Sequence, residues 1–145
     1  MFNNFTALAG KNAIYGNDKT GGGYCYYDIE TEYKKMRIFL LNSCETSVKT
    51  GEADSTAVGI IQQEWIATSL LDLNTTKTNP EQWNFIVLCH FPLDFRDMKK
   101  DISDIFKAYV EGNTIIINNK EYNFNNNKAT FVAQFHGHVH NFLQS

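Results

Sequence analysis

The chain has 145 residues, with 13 Lys+Arg against 16 Asp+Glu and a formal net charge of −3. At 43% hydrophobic, 14% aromatic and 20% charged residues it holds enough apolar material for one core, which excludes wholesale disorder. The slightly acidic balance gives no electrostatic basis for nucleic acid or an anionic membrane as the main partner.

In chain order, MFNNFTALAG has no basic region before its short apolar run and does not read as a secretory signal. Gly21-Gly22-Gly23 predicts a flexible turn, followed by a strand from Tyr24 to Ile29. Met36 to Asn42 (MRIFLLN) is a near-continuous apolar run, the pattern of a strand covered on both faces. Ile60 to Leu71 carries Ile61, Trp65, Leu70 and Leu71, with Gln62, Gln63 and Glu64 between the first two, which predicts a helix. Asn84 to His90 (NFIVLCH) predicts a second buried strand. Asp97 to Glu111 places Ile102, Ile105, Phe106, Tyr109 and Val110 on one helical stripe, with Gly112 as its stop. Thr114 to Ile117, the turn Asn118-Asn119-Lys120, and Glu121 to Phe124 predict a β-hairpin. The Asn-rich stretch Asn123 to Asn127 reads as a polar loop, and Thr130 to His136 as a final strand. The alternation predicts an α/β (α+β) layered fold in a single domain spanning residues 1–145.

No stretch reaches the about 18 apolar residues of a membrane span. Cys25, Cys44 and Cys89 contain no CxxC and are odd in number, so reduced thiols and a cytoplasmic setting are expected. Cys89 adjoins His90, yet neighbouring strand residues point to opposite faces, so Cys89 reads as a small buried hydrophobe. Asp18-Lys19-Thr20-Gly21 is preceded by Tyr15-Gly16-Asn17, not by a buried strand, so it is a surface turn and not a phosphorylated-aspartate motif.

The chemistry-bearing residues lie at two strand ends. His136-Gly137-His138-Val139-His140 closes the run FVAQF, and His90 closes FIVLC. Ligands gather beyond the carboxyl ends of strands in layered α/β domains, and imidazole suits zinc, iron, copper or, with oxygen ligands, manganese. An HxH pair can direct two rings to one side, with Gly137 easing a close backbone turn. The alternative is ordinary strand-end or capping histidines.

These residues resemble the C-terminal half of the calcineurin-like metallophosphoesterases, which pair a strand-end His with a later Gly-His-x-His. Lys11 to Gly23, then YCYYDI and MRIFLLNS, is similar to the family's segment ending in Leu-Asn-Ser/Thr. Gly59 to Leu71, with Gln62, Gln63, Glu64 and Trp65, is similar to its following helix. The resemblance implies a β-sandwich of two packed mixed sheets flanked by helices, and a dinuclear centre of divalent metal ions (Mn, Fe or Zn) hydrolysing a phosphomonoester or phosphodiester. It assigns His90 and His138 to the second metal and His140 to the first. His136 has no ligand counterpart, and Asp94, just past the His90 turn, reads as a loop residue and not a ligand.

The family's Asp-x-His, Gly-Asp-x-x-Asp and Gly-Asn-His are absent; Gly16-Asn17-Asp18 lies in the wrong segment and has Asp in place of His. Three neutral imidazoles without a bridging carboxylate are poor ligands for two dications, so one weak metal site and little hydrolysis are expected. The sequence thus reads as a truncated C-terminal portion of such a hydrolase, whose exposed sheet edges invite self-association. Two alternatives stand beside it. One is a non-catalytic interaction relic, as in a phage or prophage assembly, for which the Asn-rich hairpin is weak motivation. The other is a mononuclear three-His site.

Overall fold

The computed structural model describes residues 13–16, 23–43, 58–94 and 102–137. Alternation of aromatic and β-branched residues with polar ones builds its strands. β1 (Ile14–Tyr15), β2 (Cys25–Glu30), β3 (Lys35–Leu40), β4 (Trp83–Cys89) and β7 (Thr130–His136) form one sheet in the order β1-β2-β3-β4-β7. β2 runs antiparallel to both β1 and β3, whereas β4 runs parallel to both β3 and β7. A separate hairpin joins β5 (Thr114–Ile117) to β6 (Lys120–Asn123). Its two-residue turn, Asn118 (φ 51°) and Asn119 (φ 60°), has the left-handed backbone of a tight hairpin, which Asn tolerates better than most residues. The α+β architecture expected from the alternation is the one found.

Parallel strands need crossovers, and two helices supply them. α1 (Ile60–Thr75) lies between β3 and β4, and α2 (Asp104–Glu111) between β4 and the hairpin. Both pack on the same sheet face. Phe39, Phe85 and Val87 from the sheet meet Ile66, Leu70 and Leu73 of α1 and Ile105, Phe106 and Tyr109 of α2. Aromatic rings tile this layer: Phe39 contacts Phe85 and Phe106 edge-on at 6.0 and 5.8 Å, and Phe85 stacks on Phe131 at 5.2 Å. Truncating a buried ring such as Phe39 to Ala costs about 3–5 kcal/mol by lost transfer energy and the cavity left behind.

Among the described residues, Arg37 is the one fully buried charge. Each face of its guanidinium fork is answered. Nε and Nη2 donate to Asp28 at 2.7 and 2.8 Å, Nη2 also donates to Asp72 at 2.8 Å, and Nη1 to the Ser69 carbonyl at 2.6 Å. The guanidinium carbon sits 3.7 Å above the Tyr26 ring centre. Lys77 adds a second cation to Asp28 at 2.7 Å. This network ties β2, β3 and α1 together.

Several expectations shift. α1 runs one turn beyond Leu71, because Leu73 continues the buried stripe and Asp72 is held by Arg37. Its buried face is Gln62, Ile66, Ala67, Ser69, Leu70 and Leu73, while Ile61 is exposed. Val110 likewise faces outward from α2. α2 begins at Asp104, and the predicted stretch from Asp97 to Asp101 lies outside the described residues. Gly112 (φ 69°) does end α2, and Asn127 of the Asn-rich loop donates its amide to the Tyr109 carbonyl, so the loop caps the helix. β3 and β4 are fully buried on the helix face only; Met36, Ile38, Leu40, Ile86 and Leu88 on the other face stay partly exposed. β1 was not anticipated. It depends on Gly16, where any Cβ would overlap the Tyr24 ring.

Candidate functional site

The two strands that end on histidine lie side by side. β4 and β7 pair in parallel, with Cys89 opposite His136, so the residues that follow them, His90 and Gly137, meet at the same rim. The Gly137 N–H donates to the His90 carbonyl at 3.1 Å. A Cβ built at Gly137 would lie 4.0 Å from the His90 Nδ1, so the ring stands over the glycine that opens Gly-His-Val-His.

A one-residue irregularity creates this meeting. Phe85 pairs with Phe131, but Ile86 pairs with Ala133, leaving Val132 as an extra residue bulged from β7. With regular pairing, His90 would face His136. The bulge advances β7 by one residue, puts Gly137 beside His90 and places His136 on the face of Cys89. Nothing in the run FVAQF marks the bulge, because apolar residues occupy both phases of the alternation.

The turn after β4 carries His90 at the surface on a fixed frame. The His90 side chain is exposed, while Phe91, Pro92 and Leu93 are buried beneath it. The Phe91 N–H donates to the Ser43 hydroxyl at 3.1 Å, and the Leu93 N–H to the Gln134 side-chain oxygen at 3.2 Å. The Cys89 thiol donates to the Phe91 carbonyl at 2.9 Å. Burial pushes that thiol up to about 11, the opposite of an activated thiolate. On the neighbouring strand, Gln62 of α1 accepts from the Asn42 N–H and donates to its carbonyl, both at 2.9 Å, which holds the end of β3. Ser43, Gln62 and Gln134 went unrecognised as rim residues. The only trace of Ser43 in the sequence is the Leu-Asn-Ser closing the β3 run.

His90 and Gly137 are thus brought together. His136 is exposed at the end of β7, on the other face, and Asp94 is an exposed turn residue. His138 and His140 lie outside the described residues, as do Asp18 and Cys44. Among the described residues, no group of three or more His, Cys, Asp or Glu side chains is placed to hold a metal ion. His90 itself fits a ligand: an accessible imidazole on an anchored turn, beside the backbone that leads directly to His138. Gly137 has no positive φ, so its role is not the conformational freedom expected from its type.

Among the described residues no helix is long and apolar enough to cross a membrane. A scan against protein-family models and searches of curated proteins and of solved structures return no match to this chain.

Proposed function

We propose that His90, His138 and His140 form the C-terminal share of a divalent-metal centre of the calcineurin-like phosphoesterase type, at the carboxyl ends of β4 and β7. The observation carrying this reading is the juxtaposition of His90 with Gly137, produced by the parallel pairing and the bulge. Bound there, divalent metal would supply an activated water and neutralise charge developing at phosphorus. The part left to this chain is narrower. His90 offers a neutral imidazole from a fixed turn, and the two histidines after Gly137 complete a three-nitrogen donor set for manganese, iron or zinc. The sequence supplies no bridging carboxylate to this set, so the chain alone holds one ion weakly and does not turn over phosphoesters. The unpaired Cys25 and Cys89 thiols support a reducing, cytoplasmic setting.

The test is metal stoichiometry together with hydrolysis of bis(4-nitrophenyl) phosphate in added Mn²⁺. One weak ion without turnover is expected. Two tightly held ions, with turnover abolished by His138→Ala, would overturn the claim of incompetence, and one tightly held zinc would favour a mononuclear site.

A second reading, a non-catalytic interaction module, is favoured by the sheet face opposite the helices. Met36, Ile38, Leu40, Ile86 and Leu88 are only partly covered there, and Val132 and Phe135 on β7 are 56% and 57% exposed. A stable oligomer that binds no metal is the outcome this reading expects.

A further inference from the structure

We infer that Ser43 and Gln134 are positioning residues for the His90 imidazole, an inference that rests on the reading of His90 as a ligand and extends it to the frame behind it. An exposed side chain on a surface turn normally samples many orientations, and ordering it costs entropy when a ligand binds. Here the turn is anchored from both flanking strands. Ser43, nearly fully buried beyond the end of β3, accepts the Phe91 N–H. Gln134, from β7, accepts the Leu93 N–H. Residues 91 and 93 are also the ones whose side chains enter the core cluster, so packing and hydrogen bonding fix the same two points. Between them and the end of β4, the His90 carbonyl is held by Gly137. The bulge at Val132 contributes again: it turns Gln134 to the face of its partner Val87, the helix side, where its amide reaches Leu93. Three consecutive strand ends of the sheet therefore converge on the main chain of the turn that carries the exposed His90 imidazole. A turn with only a structural role needs the buried Phe91 and Leu93 but not a fixed ring at position 90.

The experiment uses the 145-residue chain, with Ser43→Ala and Gln134→Met as the disrupting variants and Ser43→Thr as the one that keeps the hydroxyl. Gln134 is on a strand with one sheet neighbour and is only partly buried, so its variant folds even if Ser43→Ala does not. The primary readout is the order of the His90 ring by carbon relaxation NMR in metal-free protein, with Phe91 and Leu93 amide exchange as the check that each bond has been lost. The second is affinity for Zn²⁺. Ring order falls in both disrupting variants and returns in Ser43→Thr, and Zn²⁺ affinity drops about tenfold, in the range seen when partners behind a metal ligand are removed. Unchanged ring order, with amide exchange raised, would overturn the inference. If the unaltered chain binds no Zn²⁺ while ring order still responds, the positioning stands and the metal reading fails.

Discussion

Gly137 donates its main-chain N–H to the carbonyl of His90 at 3.1 Å, and this bond joins the ends of two strands that lie 47 residues apart in sequence. It is the first contact after the β4–β7 ladder, and it exists because Val132 is bulged out of that ladder. A rim built this way brings the Gly137 backbone to an exposed imidazole without requiring any unusual conformation at the glycine.

That geometry predicts tolerance where a motif-based reading expects none. Gly137→Ala places its Cβ at ordinary van der Waals distance from His90 and meets no positive φ, so stability changes by less than about 0.5 kcal/mol. Gly112→Ala, by contrast, forces a side chain into left-handed backbone at φ 69° and lowers stability by about 1 kcal/mol. Urea unfolding of the two variants checks the contrast; equal losses would mean that Gly137 is conformationally required.

The Arg37 network sets the response to acid. Burial raises the Asp28 carboxyl, but the Arg37 and Lys77 bonds outweigh it and hold the group below its usual value of 3.8. The folded state thus binds the proton more weakly than the unfolded chain does. The stabilisation is fully present above about pH 4 and is lost as the pH falls through the lower folded value. Asp28→Asn removes this part of the acid sensitivity and lowers stability at neutral pH. Arg37→Ala leaves Asp72 without its cation and Asp28 with Lys77 alone, and costs about 3–5 kcal/mol. Thermal unfolding between pH 2 and 7 reads both effects. An Asp28→Asn profile parallel to that of the unaltered chain would contradict the assignment.

Tyr122 presents the opposite case. Its hydroxyl is buried with no hydrogen-bond partner among the described residues, which leaves its desolvation cost without an offset there. Tyr122→Phe is therefore neutral or stabilising by up to about 1 kcal/mol, in contrast to the usual loss on altering a core residue. A loss larger than about 1 kcal/mol in chemical denaturation would show that the hydroxyl is in use.

These residues also show what a linear reading can reach. β7 was legible to the residue because its aromatic and β-branched run ends where polar residues resume, and Gly112 marked the end of α2 because helix termination by left-handed backbone is a local event. Arg37 resisted such reading. In MRIFLLN it is an anomaly, explained only by carboxylates nine and 35 residues away. The same pairing underlies the last turn of α1, which carries Asp72 and lies beyond the predicted end at Leu71. At the rim, the histidines declared themselves by type and by position at strand ends. The bulge and the Ser43 and Gln134 bonds did not, since each depends on register between strands that no local pattern encodes. The buried Gln62 is similar: it reads as a polar helix residue until the end of β3 is beside it.

The most direct test of the metal reading is equilibrium binding of Zn²⁺ to the unaltered chain, to His90→Ala and to His138→Ala, with circular dichroism confirming that each is folded. The arrangement at the β4–β7 rim predicts no more than one ion per chain, bound at least tenfold more weakly by either variant. Binding that is indifferent to both substitutions, or no binding by the unaltered chain, would contradict it.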